Sequence, residues 1–268
     1  MNLLKIDDFT PDVNITEISR AATIISGINA GRMRSGEHFH DVIGTYYEYA
    51  YAISPHTSLM EDYYRLHELV TAPDLKHSVL VPFAQGYTSF DAHIVAANDR
   101  LIYGKNDRDV WDDLTFVITA DEPARYPTEK WMPINTAESG CLVVDGYSFD
   151  VVVSDLQRMS TVWERDSGRN MYGQTIRYPL GTYHDYELTI DRMDSATQYD
   201  DLYYLLTAPV ESHTVELWSN GKKIVLRAHV SSLVDKLVRW TKKTWLWGEM
   251  KVRFEAAELS KEASTWSI

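Results

Sequence analysis

The residue types in this 268-residue chain that could do chemistry are few, and histidine leads them. The stretch GEHFHD (residues 36–41) sets His38 and His40 beside Glu37 and Asp41, a metal-ligating combination of imidazole and carboxylate. A third ligand cannot be identified, and the segment that aligns with it later in the chain reads GQTIRY, so no metal site is expected. His77, His93, His213 and His229 recur at matched positions inside apparent strands, where hydrogen-bonded histidines at a sheet rim are the expected reading. Asp99 and Asp235 could in principle form a carboxylate dyad, but ANDRLI and LVDKLV suit a turn or an edge position better. The chain has no G-x-S-x-G, H-E-x-x-H, P-loop or paired-cysteine motif. No catalytic residue, metal or cofactor is therefore expected, and the protein reads as a non-enzyme.

One surface segment looks functional. RWTKKTWLWG (residues 239–248) interleaves three tryptophans with three cations, a pattern able to stack bases, lie on lipid or seal a protein interface. The simpler reading is a long hairpin whose Trp247 opens a core strand. The sharper one makes Trp240 and Trp245 a subunit contact.

The elements that would carry these residues occur twice. IGTYYEYAYAI (residues 43–53) returns as LGTYHDYELTI (residues 180–190). Arg20 aligns with Arg158 at an offset of 138, Gly44–Tyr46 with Gly181–Tyr183 at 137, and Thr71–Pro73 with Thr207–Pro209 at 136. The last offset continues through His93/His229, Asp99/Asp235, Trp111/Trp247 and Ala120/Ala256. So long a period exceeds that of solenoid repeats and implies two domain-sized copies. The expected division is a first domain over 1–125, a linker over 126–148, a second domain over 149–260 and a tail over 261–268. The copies differ in charge: residues 11–125 hold 9 basic and 17 acidic side chains, residues 149–260 hold 14 and 16. They are expected to face different surroundings.

Within each copy the repeated strand alternates. Ile43, Thr45, Tyr47, Tyr49, Tyr51 and Ile53 share one face, with Glu48 opposite. In the second copy Tyr186 shares a face with Leu188 and Ile190, opposite Asp185 and Glu187. A helix should follow, opened by a capping box at Ser58/Glu61 and again at Ser195/Gln198, and stopped by Pro73 and Pro209. Strands are then expected over 77–82 and 213–218, 88–96 and 223–231, and 111–120 and 247–256. The fold class is mainly β, a β-rich α+β arrangement of two tandem antiparallel sandwich or barrel domains, each with one packed helix.

Composition sets the bounds. With 44% hydrophobic residues the chain can build a core, and no apolar run is long enough for a membrane span. The sequence MNLLKIDDFTPD shows no secretory signal, and the lone Cys141 excludes an internal disulfide framework and fits a reducing cytosol. A net charge of −13 argues against gripping nucleic acid by counterion release.

The G-R turn at Gly168-Arg169, the strand Gly181–Tyr186, the segment Leu206–His213 and the final strand Trp247–Glu258, with Trp111–Pro123 in the first copy, resemble a family of tail proteins in phages and prophages of Gram-positive bacteria. The element order is similar to the tail-tube fold of tube, distal-tail and baseplate-hub proteins. That resemblance implies a structural ring around a DNA channel, built from three or six chains and assembled in the host cytoplasm into the virion tail. Its implied partners are copies of itself, other tail proteins such as tube, tape-measure or hub, and passing DNA without specific binding; no membrane is involved. Tyr47, Tyr49, Tyr186, Trp240 and Trp245 are then expected at subunit interfaces, with Glu48, Asp185 and Glu187 facing the lumen. A sandwich that docks cell-wall sugar on Trp240, Trp245 and Trp266 is the alternative.

Overall fold

A computed structural model describes residues 3–33, 35, 37–55, 59–74, 76–105, 108–127, 131–165, 167–219, 221–241 and 244–262. The first half runs β1 (Lys5–Ile6), β2 (Asn14–Ser26), β3 (Gly31–Arg32), β4 (His38–Phe39), β5 (Val42–Ser54), α1 (Met60–Val70), β6 (His77–Phe83), β7 (Gly86–Asn98), β8 (Leu101–Lys105), β9 (Arg108–Trp111) and β10 (Leu114–Ala120). The second runs β11 (Leu142–Val144), β12 (Tyr147–Phe149), β13 (Val153–Glu164), β14 (Gly168–Arg169), β15 (Thr175–Ile176), β16 (Pro179–Ile190), α2 (Ala196–Leu206), β17 (His213–Ser219), β18 (Lys222–Trp240), β19 (Trp245–Ala256) and β20 (Lys261–Glu262). The protein is mainly β, and its principal strands join one large antiparallel sheet. Among the described residues no helix is long and apolar enough to cross a membrane.

Pairing repeats along with the sequence. Arg20 stands opposite Tyr49 on β2–β5, as Arg158 stands opposite Tyr186 on β13–β16. His77 faces Ala92 as His213 faces Ala228, and Phe116 faces Tyr51 as Val252 faces Leu188. The alternation in the repeated strand has its expected physical cause. Tyr47, Tyr49, Tyr51 and Ile53 are buried, while Glu48 is exposed. Each helix lays its apolar stripe on the sheet, through Tyr63, Leu66 and Val70 in α1 and Tyr199, Leu202 and Leu206 in α2. Ser195 caps α2 by accepting from the Gln198 N–H, whereas Ser58 lies outside the described residues.

Two departures from expectation have clear reasons. Residues 126–148 are not all linker: β11 pairs with β17 and brings Leu142 and Val144 into the core. Its counterpart β1 pairs with β6 in the same way. Strand β18 also runs well past Ser231, to Trp240, because β2 and β19 hydrogen-bond to its two sides. Among the described residues the equivalent stretch of the first half has no strand in the place of β2, and it breaks after Asn98 into β7 and the separate β8–β9 hairpin.

An aspartate clamp holds each short N-terminal strand. Asp145, at φ 51°, accepts from the Thr214 N–H at 2.8 Å and pairs with His213 Nδ1 at 2.6 Å. Asp7, also at φ 51°, does the same with Ser78 N–H and His77. Burial raises the Asp145 pKa, but the hydrogen bonds from His213 and Thr214 outweigh it and hold the carboxyl below its ordinary value. A carboxyl depressed on folding stabilises above its unfolded pKa and loses that contribution as pH falls through the folded one. Asp145→Asn should therefore cost about 1–2 kcal/mol at pH 7 in urea unfolding. The deficit relative to wild type should shrink below about pH 3.9.

Candidate functional site

The most specialised chemistry in the chain lies where its halves meet. Strand β2 of the first half adds to β18 of the second, in the register Ile18–Leu237, Arg20–Asp235 and Ala22–Leu233. Arg20 and Asp235 are both fully buried and form a two-pronged ion pair, with Nε 3.0 Å from Oδ1 and Nη2 on Oδ2. Tyr199 donates its hydroxyl to the same carboxylate at 2.7 Å. The guanidinium is sandwiched by aromatic rings, its carbon 3.4 Å from the Tyr203 centroid and 3.8 Å from Trp247, with Phe83 further out. Burial alone would lower the Arg20 pKa, but Asp235 beside it holds it well above its ordinary value.

The β6–β7 turn of the first half completes the joint. Gln85 accepts from the Trp245 N–H and donates to the Trp245 carbonyl, acting as a one-residue strand extension. Trp247 donates its indole N–H to the Ala84 carbonyl. Thr45 donates to the Thr207 carbonyl, and Arg125 donates to the Tyr204 carbonyl and to Thr207.

A second cluster lies along the same seam. His38, His40 and His229 bring three imidazoles together, with one nitrogen from each lying within 4.8 Å of the others. The Ser26 hydroxyl meets His40 Nδ1 at 2.6 Å, and His40 Nε2 lies 2.8 Å from His38 Nδ1. His229 Nδ1 bonds the Glu211 carbonyl, while its Nε2 is buried without a protein partner. Burial, then the charge that His40 could carry, lowers His38 to about 4 and His229 to about 3. All three imidazoles offer lone pairs at neutral pH. The third imidazole that GEHFHD lacks locally is thus His229, far along the chain.

The expected interface residues fall mostly inside the molecule. Tyr47, Tyr49 and Tyr186 are buried core, and Tyr49 donates to the Pro82 carbonyl, so none can face another subunit. Trp245 is 4% exposed, with the Tyr87 ring edge-on at 4.8 Å. It seals the two halves of one chain rather than two chains. Trp240 is half-buried against the core. The row of tryptophans that would dock sugar is therefore not exposed at Trp245, and Trp266 lies outside the described residues. Of the expected lumen residues, Glu48 is exposed and Glu187 partly so, but Asp185 instead accepts from the Ala256 N–H at 2.8 Å. Asp99 and Asp235 sit in different halves and form no dyad: Asp235 binds Arg20, and Asp99 accepts from Tyr63. The signal that could have found the joint was present, since Arg20/Arg158 and Asp99/Asp235 keep their identities in both copies.

A buried ion pair tolerates joint replacement better than the loss of one partner, because the survivor is then an unpaired charge. Asp235→Asn should destabilise the fold by about 3–5 kcal/mol in denaturant unfolding. The double variant Arg20→Met/Asp235→Leu should recover most of that loss. Neither a protein-family model nor a curated protein sequence matches the chain.

Proposed function

We propose that the protein is a structural component of a phage or phage-derived tail, forming a ring around the DNA channel as a distal-tail, baseplate-proximal or tube-like protein of the virion. The observation that carries this reading is the heterologous joint. Strand β2 of one copy of the repeat extends the sheet of the other through unlike surfaces. Head-to-tail joints of that kind generate rings when their rotation closes. One chain holds one such joint and two unmatched ends, so further chains can continue the series. Three chains give a pseudo-sixfold ring and six a double layer.

Other features support the same reading. The tail-protein resemblance spans both copies. The net charge of −13 would let DNA slide past without being gripped. Other tail proteins would be the neighbours above and below the ring. Native mass spectrometry and electron microscopy of the purified protein should show closed rings whose copy number is three or six. A protein that stays monomeric at every concentration and ionic strength overturns the proposal.

A further inference from the structure

We infer that the joint inside the chain has a counterpart between chains, in which the outer edge of β13 in one chain pairs with the open edge at the β7–β8 junction of another, and Arg158 of the first seats on Asp99 of the second. The inference deepens the ring reading and rests on it. Its basis is the repeat itself: β13 corresponds to β2 at an offset of 138, and β7–β8 corresponds to β18 at 136. Arg20 and Asp235, partners in the chain, translate to Arg158 and Asp99.

The receiving side is already assembled. Tyr63 Oη lies 3.4 Å from Asp99 Oδ2, as Tyr199 lies on Asp235. His67 stands in the place of Tyr203, its Nε2 3.8 Å from Asp99. Trp111 takes the place of Trp247 and is fixed by its indole N–H on the Tyr64 hydroxyl at 3.1 Å. Among the described residues Asp99 has Tyr63 and His67 beside it but no arginine, and Ser219 and Gly221 stand where the in-chain joint has Phe83 and Gln85.

Burial shows the same vacancy in the partner strand. Leu237 is 2% exposed under β2, whereas its equivalent Leu101 is 46% exposed. Ile18 and Arg20 are buried, whereas Leu156 is half-buried and Arg158 exposed. Among the described residues strand β13 pairs only with β16. Beyond Ala92, and again among the described residues, β7 pairs only with β10. Each edge thus presents unused backbone donors and acceptors, and such edges ordinarily seek a strand. Transposing the in-chain register places Asn98 opposite Met159, Asp99 opposite Arg158 and Leu101 opposite Leu156.

Cysteines at Asn98 and Met159, in a Cys141→Ser background, test the register, since directly opposed residues in an antiparallel pair lie within disulfide reach. Oxidation should link chains through Asn98→Cys/Met159→Cys, whereas Arg100→Cys/Met159→Cys should link poorly. Arg158→Asp or Asp99→Arg alone should weaken association at least ~100-fold, and the two together should restore much of it. Wild-type rings that survive both single reversals, with the first cysteine pair unlinked, overturn this joint and leave the ring reading standing. A wild type that never associates overturns both.

The histidine cluster carries a second inference independently: we propose that His38, His40 and His229 bind one transition-metal ion of the zinc class. His229 offers a buried Nε2 with no protein partner, and the Glu211 carbonyl fixes its Nδ1–H. Ser26 meets Nδ1 of His40, which leaves His40 Nε2 turned towards His38. An oxygen partner on the outer nitrogen is how metal-binding imidazoles are oriented. Three neutral imidazoles suit Zn²⁺ with a fourth position for water. Calorimetric titration of metal-stripped full-length protein with zinc sulfate should show one site per chain and a raised thermal midpoint. His38→Asn, at a partly buried position, and His229→Asn should each abolish both effects. No binding by the wild type, or binding unchanged in His38→Asn, overturns the site.

Discussion

The Arg20–Asp235 pair is the contact on which the arrangement of the two halves depends. Removing a guanidinium and a carboxylate from water costs several kcal/mol per ion, and only close geometry with further hydrogen bonds offsets it. Here the offset comes from both halves at once. Asp235 and its Tyr199 partner belong to the second, Arg20 and Phe83 to the first, and Tyr203 and Trp247 stack on the cation from the second. A one-residue slip of β2 along β18 would turn Arg20 to the opposite face and strand two charges. The pair therefore fixes register more than it adds stability.

Register in turn decides the length of β18. Paired on both sides, by β2 and β19, its second half continues as strand to Trp240. The same sequence position in the first half, open on one side, is interrupted at Asp99 and Arg100. The two corresponding stretches thus differ because one is paired on both sides and the other on one. Leu101 and Leu237 differ in burial for that reason and not because of their chemistry.

Much of this was legible in the residues. Period-two alternation put Tyr47, Tyr49 and Tyr51 on one face, and capping at Ser195 and the prolines bounded the helices, because these patterns report short-range geometry. What alternation cannot tell is whether a buried face meets its own chain or another. Tyr47, Tyr49, Tyr186 and Trp245 were expected at subunit contacts and lie in the interior of a single chain. The histidine cluster was hidden for a related reason: His229 comes from a strand remote from GEHFHD, and its repeat partner His93 bonds Asp121 instead. A residue pair matched by duplication need not share a role once the surroundings diverge.

The sequence by itself determined a mainly β fold and a strand-and-helix pattern written twice along the chain, because spacing, alternation and punctuation are local. Only the tertiary structure decided how the copies meet. That meeting depends on which strand edge finds which partner, and on whether Arg20 and Asp235, distant in the chain, reach each other dry and in register. Edge choice and desolvation are properties of the assembled surface, and no single stretch of sequence contains them.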